Sequence, residues 1–214
     1  MIFNYKLDRL PILTKRCDSY STKYDSDNSA SVEYKFNDYG YRASFDYEPL
    51  LDTKKIVCIG CSFTEGVGLY ENETWPYILS QQIGLPYLNL GVAGGSQGYV
   101  MWQIKNVLDN IQSKNIFVLS PPCGRFFQLT DTEFENKQSW DVETETKTYS
   151  NFYDLNNFVL AGLCKSYGIN HIDCLKFGEG QNCAKARDNQ HFGIEYHQKI
   201  AKEFYNLTQP PKLI

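Results

Sequence analysis

Four short apolar runs, each followed by a stretch with helical spacing of apolar residues, constrain this chain more than any other feature. Lys55-Ile56-Val57-Cys58-Ile59-Gly60 is an apolar run closed by glycine, as a buried strand would be. Residues 74–83 follow, with Thr74 placed to cap a helix and Pro76 tolerated only in its first turn. Tyr87-Leu88-Asn89-Leu90 reads as a second strand, and Met101, Ile104, Leu108 and Ile111 recur at helical spacing across residues 97–112. Ile116-Phe117-Val118-Leu119 is a third strand, stopped by Pro121 and Pro122. Residues 153–167 give another amphipathic helix, Ile169-Asn170-His171-Ile172-Asp173 a fourth strand, and residues 193–206 a closing helix. Strands that alternate with helices of this length pair in parallel, with the crossover helices on both faces. The expected fold is a three-layer α/β/α sandwich around a central parallel sheet.

Two segments fall outside this rhythm. Residues 1–53 are rich in Ser, Asp, Asn, Lys and Tyr with little periodicity, and read as an irregular N-terminal arm ahead of a domain spanning 54–214. Residues 125–151, dense in Thr and Glu, read as a long polar insertion without structure of its own. It leaves the C-terminal end of a parallel strand, where open α/β sheets place their ligand sites.

Composition narrows the function classes. The 214 residues carry 21 Lys+Arg against 25 Asp+Glu, a net charge of −4, and a nucleic-acid reader would instead show a basic surface. At 42% hydrophobic and 21% charged the chain has the makeup of a globular protein. Its longest apolar stretch, Phe158 to Cys164, is far short of the ~20 residues of a membrane-spanning helix, and the first residues lack the pattern of a secretory signal. Seven cysteines, an odd number, favour free thiols in a reducing compartment, so a cytoplasmic location is expected.

Chemistry concentrates at three places. In Gly60-Cys61-Ser62-Phe63-Thr64-Glu65-Gly66 a hydroxyl follows a buried strand on a tight turn, which suits a nucleophile and equally describes a plain strand-to-loop turn. In Asp188-Asn189-Gln190-His191 the carboxylate can reach Nδ1 of the imidazole and leave Nε2 as a base; the same spacing also serves as a capping pair. Asn89-Leu90-Gly91-Val92-Ala93-Gly94-Gly95 is a glycine-rich turn whose N–H groups can approach a substrate closely, but its spacing is not that of a phosphate loop. His197 reads as a packed or rim residue and His171 as structural. Cys58 and Cys61 stand at C-x-x-C spacing with no second pair, and run along a strand into its turn, which weighs against redox or zinc chemistry. Trp75 and Trp102 fall on helices and read as core, whereas Trp140, in the polar insertion, reads either as a sugar-stacking or lid residue or as loop packing.

Taken in this order and at these separations, the three blocks resemble the SGNH/GDSL hydrolase family. Glu73-Thr74-Trp75-Pro76-Tyr77-Ile78-Leu79 and Asn37-Asp38-Tyr39-Gly40-Tyr41-Arg42 resemble segments of its branch with an N-terminal extension. The resemblance spans roughly residues 33–206 and implies a flavodoxin-like sheet. It implies Ser62 as nucleophile, His191 as general base and then acid, Asp188 as its orienter, and the Ser62 and Gly94 N–H groups as oxyanion donors. No metal or other cofactor is implied. The substrate class implied is a small acyl ester, extending to an O-acetyl group on a carbohydrate. Two positions depart from the family. Cys61 stands where the family has Asp, and Ser120-Pro121-Pro122-Cys123-Gly124-Arg125 lacks the Asn that supplies a third oxyanion donor. Three readings stay open there: Arg125 substitutes as donor, Arg125 binds a substrate group, or the hole is incomplete and the chain is a binding or structural module on a hydrolase fold. The arm is a candidate for assembly with another copy.

Overall fold

The computed structural model describes residues 20–24, 32–47, 54–111, 113–122, 125–129, 134–138, 146–174 and 183–210, with 20–24, 125–129, 134–138 and 146–153 described by their backbone alone. Among these, β3 (Ile56–Gly60), β4 (Tyr87–Gly91), β5 (Asn115–Ser120) and β8 (Asn170–Asp173) form one parallel sheet in the order β4-β3-β5-β8. This is the 2-1-3-4 order of a flavodoxin-like sheet, which reverses direction between β3 and β5. The helices are α1 (Ser62–Glu65), α2 (Trp75–Ile83), α3 (Gln97–Asn110), α4 (Thr146–Ser166) and α5 (Ile194–Thr208).

The strands read as unbroken apolar runs because both faces are covered. Val57, Ile59, Leu88, Leu90, Ile116 and Val118 pack on one side with Val100, Ile104 and Val107 of α3 and Leu160 and Cys164 of α4. Ile56, Cys58, Phe117, Leu119 and Ile172 pack on the other with Trp75 and Leu79 of α2 and Tyr196, Ile200 and Phe204 of α5. Successive side chains of a strand point to opposite faces, so one short run feeds two cores. Trp75 is fully buried, and Trp102 packs half-buried against the first core.

Both segments expected to be irregular hold regular structure. In the arm, β1 (Tyr20–Tyr24) and β2 (Val32–Phe36) pair antiparallel. Beyond them, Tyr39, Tyr41 and Tyr47 enter the first core. Tyr47 also covers the open edge of the sheet: its hydroxyl donates to the Asn89 carbonyl and accepts the Asn89 N–H, both at 2.9 Å. Val32-Glu33-Tyr34-Lys35-Phe36 alternates apolar and polar residues at strand period, with Val32 and Tyr34 buried, but the run is short and stands alone among Ser, Asp and Asn. In the polar insertion, β6 (Arg125–Leu129) and β7 (Phe134–Gln138) form an antiparallel hairpin, and α4 starts at Thr146 instead of 153.

Candidate active site

Two glycines let the nucleophile turn fold across the strand ends. A Cβ on Gly60 would lie 2.1 Å from Thr64 Oγ1 and 2.8 Å from the Leu119 carbonyl. One on Gly91 would lie 2.2 Å from the Glu65 nitrogen. With hydrogens there instead, the single turn of α1 seats directly on β3 and β4, and Ser62 stands at the C-terminal rim of the sheet, where the strand order reverses. Gly66 ends the turn at φ 85°, a left-handed position that glycine adopts without steric cost.

The loop before α5 arrives at the same rim. Ala186 N–H bonds to the His191 carbonyl and Asn189 N–H to the Ala186 carbonyl, closing a compact loop. Asn189 takes φ 57°, a left-handed conformation that Asn tolerates better than most residues. Asp188 is wrapped inside it. Its Oδ1 accepts the N–H groups of Gln190 (3.1 Å) and His191 (3.0 Å), and its Oδ2 lies 2.5 Å from His191 Nδ1. The side chain of Asp188 is 1% exposed. Burial alone would raise its pKa, but the bonds from the His191 ring and main chain outweigh that and hold the carboxyl below its ordinary value.

His191 Nε2 lies 2.9 Å from Ser62 Oγ. With Asp188 accepting from Nδ1–H, Nε2 carries the lone pair and can accept the serine proton. Phe63 meets the imidazole edge-on at 5.2 Å and stacks on Phe192 at 5.4 Å, so the ring is held by packing as well as by its hydrogen bonds. Of the three residues singled out at the two ends of the sequence, His191 is therefore within hydrogen-bond reach of both Ser62 and Asp188. Gly94, at φ 80°, sits on the turn that follows β4; among the described residues nothing accepts its N–H, and the space beside its Cα is open.

Two arm residues reach this site from behind. Arg42, 2% exposed, donates to the carbonyls of Glu65, Gly66 and Leu69, and its guanidinium lies 4.1 Å over the Tyr34 ring. Burial depresses its pKa. Tyr34 accepts the Gly68 N–H at 2.7 Å. Gly68 in turn gives its carbonyl to Arg187 N–H and packs against Asp188: a Cβ there would sit 2.8 Å from Oδ1. The arm thus braces the loop between the nucleophile and the carboxylate. Arg42 stands in a segment marked by resemblance alone, and no spacing rule on a single chain announces a guanidinium that binds carbonyls.

His197 has a defined task. It is buried, and its Nδ1 accepts the Trp75 N–H at 3.1 Å, capping α2, where Thr74 makes no side-chain cap. Burial, with lesser effects of His191 and Arg42, lowers its pKa to about 3. The ring stays neutral when folded and binds a proton when unfolded below its ordinary value of 6.5. Stability from this group is whole above that pH and falls as pH drops toward 3, by up to about 1.4 kcal/mol per unit for one proton. Urea unfolding at pH 7, 6 and 5 should show this slope in the native chain and a shallower one in His197→Gln, which keeps an acceptor and cannot titrate.

The other residues singled out in the sequence take no part in these contacts or are not described. His171 Nε2 is 2.6 Å from Ser120 Oγ, and Asn157 links Ser120 to Asp173, a polar network at the ends of β5 and β8. Arg125 is described only by its backbone, in β6, and Trp140 lies outside the described residues. Cys58 and Cys61 are free and fully buried, and burial pushes the Cys58 thiol well up, away from reactivity. Among the described residues no group of three His, Cys, Asp or Glu is placed to hold a metal ion, and no helix is long and apolar enough to cross a membrane.

No protein-family model matches the chain, and no curated protein matches it. It is similar to solved structures of the G-D-S-L lipolytic family. A member of that family from Veillonella parvula DSM 2008 is 15% identical, with 75% of this chain and 100% of that one covered and a TM-score of 0.43. The psychrotrophic esterase EstA from Pseudoalteromonas sp. is 10% identical over 72% and 96% of the two chains, with a TM-score of 0.45. An aryl esterase from M. smegmatis is 11% identical over 72% and 97%, with a TM-score of 0.40.

Proposed function

We propose that this protein is a serine esterase of the SGNH/GDSL type acting on small acyl esters. The observation that carries the reading is the relay from Ser62 Oγ to His191 Nε2 at 2.9 Å and from His191 Nδ1 to Asp188 Oδ2 at 2.5 Å. In the first half-reaction Ser62 Oγ attacks the acyl carbon while its proton passes to Nε2. The oxyanion that forms is met by the Gly94 N–H, and the ester C–O bond then breaks as Nε2–H protonates the departing alkoxide. A water, deprotonated by the same nitrogen, releases the acid and restores Ser62. Asp188 stays ionised throughout and stabilises the imidazolium. Ser62 is 2% exposed and the His191 side chain 17% exposed, a narrow access that suits a small acyl group.

A fluorophosphonate probe tests this directly, because its phosphorus is attacked only by an activated hydroxyl. One phosphonyl adduct on the peptide containing Ser62, with matching loss of p-nitrophenyl acetate hydrolysis, is expected. Folded protein that takes no label would favour the other reading, a binding module, which draws on the absence of an Asn within Ser120–Arg125.

A further inference from the structure

The turn that carries Gly94 can point its N–H in two directions. Val92 to Gly95 is closed by the bond from Gly95 N–H to the Val92 carbonyl at 2.9 Å. Gly94 holds φ 80° in third place, and Ala93 is not among the residues at positive φ, which makes this a type II turn. Types I and II differ by a flip of the central peptide, and that peptide contains the Gly94 N–H. Glycine in third place accommodates both, so the choice depends on what grips the turn from outside.

Among the described residues, the side chain that grips it is Glu65, whose carboxylate accepts the Ala93 N–H. Glu65 is the last residue of α1, which Ser62 begins. Its main chain is fixed on both sides: its N–H bonds to the Cys61 carbonyl at 2.9 Å and its carbonyl accepts from Arg42 at 3.1 Å. One rigid turn of helix therefore links the nucleophile to the loop that bears the oxyanion donor. We propose that Glu65 is a positioning residue: by holding the Ala93 N–H it keeps the Gly94 N–H turned toward the oxyanion. This rests on the esterase reading, and deepens it by a residue that acts through Gly94 without touching substrate. Burial raises the carboxyl's pKa, while the Ala93 N–H, Arg42 and His191 work against that rise.

Reach and charge can be separated at this position. Glu65→Gln keeps a carbonyl oxygen at the same distance without the charge, whereas Glu65→Asp keeps the charge and falls short by one methylene. On p-nitrophenyl acetate, Glu65→Asp should lower kcat by about 10²-fold with little change in KM, the scale of losing one oxyanion donor. Glu65→Gln should stay within about fivefold of wild type, well inside that loss. In a Gly94→Ala background, Glu65→Asp should lower kcat no further, since both changes work through the orientation of the Ala93–Gly94 peptide. If Glu65→Asp does not fold, judged by its thermal midpoint, Glu65→Met gives a similar volume without a strong acceptor and should show the same loss. An active Asp variant beside an inactive Gln variant, or losses that add in the Gly94→Ala background, would overturn the proposal. Turnover that needs Ser62 but ignores position 65 removes Glu65 alone. Turnover that survives Ser62→Ala removes the esterase reading, and this proposal with it.

Discussion

Ser62→Ala is expected to lower kcat for p-nitrophenyl acetate by about 10⁶-fold while the protein remains folded, the scale seen when a serine nucleophile is deleted from an intact triad. The reason is local. Ser62 Oγ is the hydroxyl that His191 Nε2 addresses at 2.9 Å, and removing it leaves the base with no proton to take. The turn around it should survive, because its backbone bonds do not use Oγ: Gly66 and Val67 N–H bond to the Ser62 carbonyl, and Thr64 and Glu65 N–H to the Cys61 carbonyl. Whatever residual rate remains reflects the oxyanion turn and binding alone. Steady-state kinetics with a thermal melt on the same sample would decide it. Undiminished turnover in the folded variant ends the proposed mechanism.

Asp188→Asn should cost about 10⁴-fold in kcat with a small effect on KM. The substituted amide can keep its oxygen on the Gln190 and His191 N–H groups, the bonds now made by Oδ1, so the loop is retained. Its NH₂ then faces Nδ1, where the carboxylate oxygen stood 2.5 Å away. A donor at that point selects the tautomer with the proton on Nε2, and Nε2 then donates to Ser62 instead of accepting from it. The negative charge that would steady the imidazolium is lost as well. A folded Asp188→Asn protein within tenfold of wild type would mean that the carboxylate serves the loop and not the base.

The arm and the site belong to one mechanical unit. Arg42 and Tyr34 bind four main-chain groups of the loop from Glu65 to Leu69, and Gly68 passes that constraint on to Arg187 and Asp188. Hydrogen bonds to a charged group contribute about 1.5–3 kcal/mol each, more than neutral ones. A buried guanidinium among carbonyls is thus a strong local anchor, provided that all of its partners stay in place.

What the amino-acid sequence determined by itself was the sheet and the pairing of Asp188 with His191. Runs such as Ile56 to Gly60 are apolar on both faces, and that pattern has few solutions other than a covered parallel strand. Asp188 and His191 are three residues apart, so their pairing is a local matter that spacing can express. The strand order was beyond composition and spacing; the resemblance implied it, and the paired registers decide it. Only the tertiary structure decided the rest. The Ser62–His191 contact joins residues 129 apart, a closeness that depends on how α1 and the α5 loop meet over the strand ends. The tasks of Arg42, Tyr47, Glu65 and His197 are equally non-local. Each is a polar side chain meeting backbone groups of another segment: the loop after α1, the edge of β4, the turn after β4 and the start of α2. Backbone groups are the same at every position, so a side chain that binds them leaves no complementary residue to read, and such partners come into view only when the chain is folded.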